Sequence, residues 1–249
     1  MPGSWFFLAI VWFFIAVAPV RANGLPDFDG DGIPDQDEIN IYQTNPQLAD
    51  TDGDGYNDRQ ELTAGYSPHN PKSIKLIDND QDQDGLTDFW ELRFGTNILQ
   101  ADTDGDGVSD GDEIDRATDP KQTGNNKLPI RLDVSLSQQE LTYWLAGVKF
   151  KQFSVSSGAP RTPTPIGQYK VINKSPKAWS PYGLWMPYWL GLDRGQFGFH
   201  ELPIWPNGYR EGADHLGKAV SHGCIRLGVG AAKYLYDRVE VGTVVNINR

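Results

Sequence analysis

The chain has 249 residues, long enough for one large or two small domains. Its formal net charge of −11 is unevenly spread. Residues 27–119 carry 25 acidic and 5 basic side chains, whereas residues 121–249 carry 8 acidic and 16 basic ones. The basic second region favours an anionic polymer as partner, although lysines on a solvated face would give the same count, and no nucleic-acid partner is expected.

An apolar segment opens the chain. Residues 5–20 contain no charge and are followed by Arg21 and Ala22. Small side chains at this point are typical of a secretory cleavage site, so residues 1–22 are predicted to be a signal peptide. No Lys or Arg precedes the run, which leaves an uncleaved membrane anchor as the alternative, but the run is short for a span of about 17–25 residues. Both interpretations place the chain outside the cytoplasm, in the periplasm or cell wall.

Four segments of the acidic region repeat the pattern Asp-x-Asp-x-Asp-Gly-x-x-Asp-x-x-Glu. Calcium prefers six to eight oxygen ligands, and such a loop supplies them from positions 1, 3, 5, 9 and 12 and from the carbonyl of position 7. The glycine at position 6 permits the sharp turn. A disordered acidic spacer would not repeat these offsets, so the pattern predicts structural Ca²⁺ sites. The predicted ligands are Asp27, Asp29, Asp31, Ile33, Asp35 and Glu38; Asp50, Asp52, Asp54, Tyr56, Asp58 and Glu61; Asp80, Asp82, Asp84, Leu86, Asp88 and Glu91; and Asp102, Asp104, Asp106, Val108, Asp110 and Glu113.

The segments between the loops are short and also repeat. Their spacing leaves room for one short helix and a turn, which argues against paired helix–loop–helix units, and an apolar residue follows each glutamate. The region resembles the thrombospondin type 3 calcium-binding repeats of secreted proteins, in which the cation substitutes for a hydrophobic core. Few large apolar side chains are available here for burial. The excess of negative charge predicts a region that is largely unfolded without calcium.

Breaker residues then separate the repeats, assigned to residues 23–120, from a second domain at residues 130–249. The linker is placed at residues 121–129, which include Gly124 and Pro129. Apolar alternation predicts strands over residues 130–136, 141–145 and 148–155, with further strands at 169–172, 185–189 and 241–247. One helix is expected near residues 231–239. The second domain is therefore predicted to be mainly β.

The motif Ser221-His222-Gly223-Cys224-Ile225-Arg226 contains the single cysteine of the chain. A lone thiol in an exported protein has no intramolecular disulfide partner, and catalysis by its thiolate would require a nearby base or positive charge. The candidates are His200, His215, His222 and Arg226. All three histidines precede the cysteine, which argues against a papain-like enzyme. An inert buried thiol and a zinc site of three histidines and one cysteine are the alternatives.

Residues 130–249 resemble the catalytic domain of the L,D-transpeptidase (YkuD) family over nearly their whole length. The motifs that carry the resemblance are Val134-Ser135-Leu136-Ser137-Gln138-Gln139, Ser156-Ser157-Gly158, Thr162-Pro163-Thr164-Pro165-Ile166-Gly167, Met186-Pro187-Tyr188, Gly198-Phe199-His200 and the cysteine motif. The resemblance implies a β-sandwich-like fold, with the cysteine at the floor of a cleft. The N-terminal module of calcium-binding loops is expected to have little regular structure.

The resemblance also implies roles for individual residues. Cys224 would be the nucleophile and His200 the general base and acid, while His222 and Gly223 would frame the acyl carbonyl beside an oxyanion site. Ser221 and Arg226 would bind substrate, since the planar guanidinium suits a carboxylate. Two features depart from the family. The interval between the upstream histidine and the cysteine motif is longer, with an insertion predicted within residues 203–214, and Glu201 stands where a small residue is common.

These observations predict a secreted L,D-transpeptidase that acts on peptidoglycan stem peptides through a cysteine acyl-enzyme. Its acceptor would be another stem or a wall-attached protein, and no catalytic cofactor is expected. One alternative is an L,D-carboxypeptidase that hydrolyses the same intermediate. The other is a calcium-dependent adhesion or scaffold protein with an inactive wall-binding domain. His215 is interpreted as a surface or insertion residue, and Trp185, Trp189 and Trp205 as core or cleft-wall aromatics.

Overall fold

A computed structural model describes residues 25–249, without the side chain of Ala213. The predicted signal peptide at residues 1–22 lies outside the described residues. The described chain divides into two compact units, a first that ends at Gly111 and a second that spans Asp112–Arg249. No helix within the described range is long and apolar enough to cross a membrane.

Each acidic loop leads into a short helix. Helix α1 spans Asp35–Asp37 and continues as a π-helical turn over Glu38–Tyr42; the next helices are α2 at Asp58–Ala64, α3 at Asp88–Phe94 and α4 at Asp110–Arg116. Each helix begins at position 9 of its loop, so the glutamate at position 12 lies in the first turn. A capping box between Asn57 and Gln60 fixes the start of α2, and left-handed Gly65 ends it. The expected single short helix per repeat is therefore confirmed.

A small hydrophobic cluster lies in the first unit. Ile33, Tyr42, Leu62 and Leu76 are buried together, and Phe89 and Leu92 pack against them. The sequence suggested few apolar side chains to bury, and the cluster is indeed small for a unit of this length. The carboxylates of the loops are therefore the other large group of buried side chains in this unit.

The described part of the second unit contains nine strands in one sheet, in the order β4-β9-β1-β2-β3-β8-β7-β6-β5. Their bounds are β1 Ile130–Ser135, β2 Glu140–Leu145, β3 Val148–Ser156, β4 Gly167–Lys170, β5 Asn173–Trp179, β6 Trp185–Leu192, β7 Phe197–Glu201, β8 Ile225–Leu227 and β9 Val244–Asn248. Pairs β1–β9 and β7–β8 are parallel, and the other neighbours are antiparallel. Helix α5, Ala231–Arg238, packs on β6, β7 and β8.

The sheet curls so that its two halves face each other. Tyr169 of β4 meets Phe197 of β7 with perpendicular rings whose centroids are 5.2 Å apart. Tyr143 from one half and Phe199 from the other are fully buried, as expected for a core between two sheet layers. The predicted mainly β, sandwich-like fold is confirmed.

Three strands were not anticipated from the sequence. Strand β5 is an edge strand with many exposed residues, so it lacks an alternating apolar pattern. Strand β7 is buried at all five positions, and β8 has only three residues. A run buried on both faces does not alternate, and a three-residue strand is too short to show a period. The two missed central strands are the ones that carry the candidate site.

Candidate active site and candidate metal centres

Cys224 lies at the N-terminal end of β8, in a cleft of about 440 Å³. His200, Ser221, His222 and Arg226 line the same cleft. The thiol is partly exposed, and burial raises its pKa, whereas a backbone hydrogen bond to Gly198 and the charge of Arg226 act in the opposite direction. The resting group at neutral pH is therefore the thiol. Nucleophilic attack requires a base that takes its proton.

The parallel pairing of β7 with β8 brings the distant histidine to the cysteine motif. His200 is in register with Arg226, and Cys224 precedes Arg226 by two residues. Residues in register on neighbouring strands have side chains on the same face of a sheet. His200 and Arg226 therefore project from the same side, and Cys224, one residue before β8, lines the same cleft.

His200 is only 3% exposed, and its Nδ1 lies 2.6 Å from the carbonyl oxygen of Glu201. A carbonyl only accepts hydrogen bonds, so Nδ1 carries the proton of the neutral ring and Nε2 keeps its lone pair. Burial lowers the His200 pKa to about 4, and Arg226 adds to this effect, although the bond to Glu201 opposes it. At neutral pH the ring is an uncharged base. It also stacks on Trp189, with 6.2 Å between ring centroids.

The turn before Cys224 is closed by Ser221. The Ser221 hydroxyl donates to the carbonyl of Cys224 over 2.5 Å and accepts from the Gly223 amide over 3.1 Å. Gly223 has φ of +113°, a backbone conformation that favours glycine. The Gly223 amide is thus engaged within the turn. The roles of Ser221 in substrate binding and of Gly223 at the acyl carbonyl stay predictions.

Two threonines hold this turn in place. Thr164 Oγ1 donates to the carbonyl of Gly223 over 2.9 Å and accepts from the Gly158 amide over 2.8 Å. Thr162 Oγ1 donates to the carbonyl of Ser221 over 3.0 Å. Sequence reasoning noted the Thr-Pro-Thr-Pro segment only as a family motif. Its two hydroxyls set the position of the cysteine loop.

His222 lies at the rim of the cleft. Its side chain is exposed, and its ring stacks on Tyr182 with 4.2 Å between centroids. The buried His200 and the exposed His222 therefore have different environments, although both line the cleft. Among residues 25–249, the grouped metal-ligating side chains are four aspartate triads, and neither histidine nor Cys224 belongs to one. The zinc alternative is not supported.

Arg226 is 6% exposed and lies between the cleft and the predicted insertion. Its Nη1 is 3.3 Å from Glu211 Oε1 and 3.3 Å from His215 Nδ1. His215, interpreted from the sequence as a surface or insertion residue, is partly exposed and also contacts Arg226. Glu201 pairs with Arg210 and accepts from an amide of the α5 N-terminus, so it orients His200 through its backbone carbonyl alone. Sequence reasoning missed Glu211 because only its place in the fold brings it to Arg226.

The acidic loops bring carboxylates together at positions 1, 3 and 5. The ligand oxygens of each triad lie within 4.8 Å of one another in Asp27, Asp29 and Asp31; Asp50, Asp52 and Asp54; Asp80, Asp82 and Asp84; and Asp102, Asp104 and Asp106. The glutamates at position 12 are buried. In the described chain, both carboxylate oxygens of Glu61 and of Glu91 are buried without a hydrogen-bond partner.

Burial and the neighbouring aspartates raise the pKa of Glu61 to about 8 and that of Glu91 to about 9. Buried carboxyl groups without partners are costly. A cation at each triad would supply the partner that these oxygens lack. Carboxylate oxygens are the ligands that a hard cation such as Ca²⁺ prefers, so the donor set fits calcium.

The aspartates at position 9 have a different environment. Asp58 accepts from the amide and the hydroxyl of Thr51 over 2.8 and 2.6 Å, and Asp110 accepts from Thr103 in the same way. These bonds close the loop on the first turn of the following helix. The predicted ligand role of this position stays a prediction for Asp35, Asp58, Asp88 and Asp110, which lie outside the triads.

The fold and the cleft define a β-sandwich domain with a cysteine, a buried neutral histidine and an arginine on one wall. The family model for the L,D-transpeptidase (YkuD) catalytic domain matches residues 129–247, and the model for bacterial TSP3 repeats matches residues 27–49, 50–65 and 102–123. The chain belongs to the L,D-transpeptidase family and carries bacterial TSP3 repeats. The loop that begins at Asp80 lies outside the matched segments.

Curated relatives agree with this assignment. The L,D-transpeptidase-family protein YkuD of Bacillus subtilis is 34% identical over 122 residues, which cover 49% of this chain and 68% of the relative. YkuD of Bacillus licheniformis is 31% identical over 120 residues, which cover 48% of this chain and 66% of the relative. The solved L,D-transpeptidase of Mycobacterium smegmatis is 23% identical, with 50% of this chain and 61% of that chain covered and a TM-score of 0.43. The chain thus spans about two thirds of the length of these curated relatives.

Proposed function

We propose that this protein is a secreted L,D-transpeptidase that acts on peptidoglycan stem peptides through an acyl-enzyme on Cys224. The observation that carries the proposal is the placement of Cys224 in one cleft with His200, whose Nδ1 is held by the Glu201 carbonyl so that Nε2 keeps its lone pair. Peptidoglycan lies outside the cytoplasm, which agrees with a signal peptide at residues 1–22. The positive charge of residues 121–249 favours association with the anionic wall.

The first step acylates the enzyme. His200 Nε2 takes the proton of the Cys224 thiol, and Sγ attacks the carbonyl that joins the L-configured centre of a diamino acid to a terminal D-alanine. The carbon–nitrogen bond breaks, and His200 returns the proton to the leaving amine of D-alanine. The product is a thioester. Backbone amides near the cysteine would stabilise the oxyanion that precedes it.

The second step transfers the acyl group. An acceptor amine attacks the thioester carbonyl, a new amide bond forms, and the carbon–sulfur bond breaks. The amine proton passes through His200 back to the thiol. If water is the acceptor, the products are a tripeptide carboxylate and free enzyme, which is the carboxypeptidase reaction. In both cases Arg226 would receive the terminal carboxylate of the donor, because a buried guanidinium binds carboxylates in a directed way.

The test uses the purified full chain, excess Ca²⁺ and muropeptides with tetrapeptide stems, with products followed by mass spectrometry. Transfer predicts cross-linked dimers and released D-alanine, both absent from Cys224→Ala. Tripeptides without dimers would assign the carboxypeptidase reaction. A wild-type protein that gives neither product, while remaining folded by circular dichroism, would contradict both enzymatic functions and favour a binding role in the wall.

We also propose that Ca²⁺ is a structural cofactor of the acidic repeats. The supporting observation is the burial of carboxylate oxygens in Glu61 and Glu91 beside aspartate triads. Calcium would neutralise these groups, and without it the net negative charge of the unit would oppose folding.

The test compares the far-ultraviolet circular dichroism and thermal unfolding of the full chain with excess Ca²⁺ and with chelator. Removal of calcium is expected to abolish the transition of the repeats and to leave that of the second unit. Glu91→Gln, which keeps the side-chain volume and removes the charge, is expected to weaken calcium binding by at least tenfold in a titration. Unchanged spectra and melting curves with chelator would refute a structural role for calcium.

A further inference from the structure

We propose that Glu211 is a positioning residue that holds Arg226 in the orientation needed to bind a carboxylate. Through Glu211, the inserted segment determines specificity for acyl donors that end in a free carboxylate. The inference rests on the proposed transpeptidase function. Glu211 does not line the cleft, and neither the cysteine motif nor its spacing identifies it.

The insertion is an ordered hairpin attached to the sheet. Ile204 pairs with Trp185 at the start of β6 and also with Arg210. The Trp205 amide donates to the carbonyl of Tyr209 over 2.8 Å, and the Glu211 amide donates to the carbonyl of Pro203 over 2.9 Å. These backbone bonds fix where the side chain of Glu211 begins. The hairpin therefore supplies Glu211 from a defined position.

Both carboxylate oxygens of Glu211 have partners. Oε2 accepts from the Trp205 indole over 3.0 Å, and Oε1 lies 3.3 Å from Arg226 Nη1. His215 Nδ1 is the second neighbour of the same nitrogen at 3.3 Å. A guanidinium only donates, so His215 Nδ1 must be the acceptor and its ring carries the proton on Nε2. Glu211 and His215 thus both contact one nitrogen of Arg226, and Trp205 holds the other oxygen of the Glu211 carboxylate.

The rest of the guanidinium is not fully used by the protein. In the described part of the chain, Arg226 Nε is buried and has no hydrogen-bond partner, while the side chain as a whole lines the cleft. A guanidinium presents its donors in a rigid planar fork, so fixing Nη1 also fixes the direction of Nε. A buried donor without a partner is unfavourable. A carboxylate in the cleft would add an acceptor for the guanidinium, which lines that cleft.

The charges around Arg226 support the same interpretation. Glu211 pairs with Arg226 and the adjacent Arg210 pairs with Glu201, so the four side chains form two ion pairs. Arg226 therefore stays in place without substrate, since its charge is compensated. Loss of the Glu211 carboxylate would leave a buried guanidinium free to turn. The expected consequence is weaker binding of the donor's carboxylate.

The experiment measures steady-state kinetics of the full chain with excess Ca²⁺ on two donors, a tetrapeptide ending in a free D-alanine carboxylate and the same peptide ending in an amide. Glu211→Ala is expected to raise KM for the carboxylate donor about tenfold, with kcat within about twofold and the amide donor nearly unaffected. Glu211→Gln retains an acceptor oxygen and is expected to keep most of the affinity. Glu240→Ala, an exposed glutamate outside the cleft, is the matched control.

A second measurement separates this inference from the proposed function. In Cys224→Ala, binding of the carboxylate and amide peptides is measured by calorimetry with and without Glu211→Ala, which requires no turnover. Equal losses for both peptides, unchanged binding, or tighter binding of the carboxylate peptide would overturn the positioning role. An inactive wild type that still shows the carboxylate-specific loss would contradict the proposed reaction and support the positioning role. Circular dichroism checks that each variant is folded.

Discussion

The burial of His200 predicts how the free energy of unfolding changes with pH. Its pKa is about 4 in the folded chain, against an ordinary value of 6.5, because burial disfavours the imidazolium. The folded-state pKa is lowered, so below pH 6.5 the unfolded chain binds a proton that the folded chain does not. The unfolding free energy therefore falls as the pH falls from about 6.5 to 4. Below the folded-state pKa this contribution is constant.

The size of the effect follows from the same numbers. A shift of about 2.5 units corresponds to roughly 3 kcal/mol at about 1.4 kcal/mol per unit. The imidazole is almost fully buried, so solvent screening removes little of this value. The variant His200→Gln lacks the titrating group. The unfolding free energy of the wild type is therefore expected to fall by about 3 kcal/mol more than that of the variant between pH 7 and pH 4.

The assay is urea unfolding of the full chain with excess Ca²⁺, followed by tryptophan fluorescence. Five of the eight tryptophans lie between residues 144 and 205, so the signal reports mainly on the second unit. Other acidic groups titrate in both proteins and cancel in the difference. His222→Gln, which removes an exposed histidine at the cleft rim, is the matched control for the loss of a histidine side chain. Parallel stability curves for wild type and His200→Gln would refute the argument.

Three further predictions concern the same site. Burial raises the pKa of the Cys224 thiol, so alkylation by iodoacetamide, followed by mass, is expected to be slow at neutral pH and still rising at pH 9; a fast rate that is flat from pH 5 to 8 would instead indicate a resting thiolate. Thr164→Val removes the hydroxyl bonded to the Gly223 carbonyl and is expected to lower unfolding free energy by about 1–3 kcal/mol, with Thr164→Ser close to wild type. Gly198→Ala would place a Cβ 2.1 Å from the Leu190 carbonyl oxygen, so a marked fall in melting temperature is expected; an unchanged melting curve would show that β7 tolerates the methyl group.

The parts of the fold that follow a simple period were predictable from the sequence. Strands β1, β2 and β3 combine local alternation with short turns, and the acidic loops repeat a ligand pattern that composition alone does not produce. The curling of the sheet was not predictable, because it depends on which strands become neighbours. The parallel pairing of β7 with β8 joins residues separated by the whole inserted segment. No local pattern in the sequence encodes that pairing.

The candidate site was predictable only as a set of residue types. The motif identified Cys224 and Arg226, and the family resemblance identified His200, but their protonation states depend on burial. The support by Thr164 and Glu211 depends on side-chain contacts between distant segments. Such contacts leave no spacing rule in a single sequence. For the same reason, the loop-closing role of the position 9 aspartates became visible only in the structure.

Each of the two units contains a buried ionisable side chain that would bind a ligand of opposite charge. In the first unit Glu91 is buried among other carboxylates, and in the second Arg226 is buried with one nitrogen held and Nε unpaired within the described chain. Burial of an uncompensated charge is costly, so a buried carboxylate needs a cation or a proton and a buried guanidinium needs an anion. Within its own unit, Glu91 has neighbours of like charge that raise its pKa, whereas Arg226 has Glu211 as an internal counterion. The repeats should therefore depend on calcium for folding, while the catalytic domain should fold without its substrate and use the free donors of Arg226 for recognition.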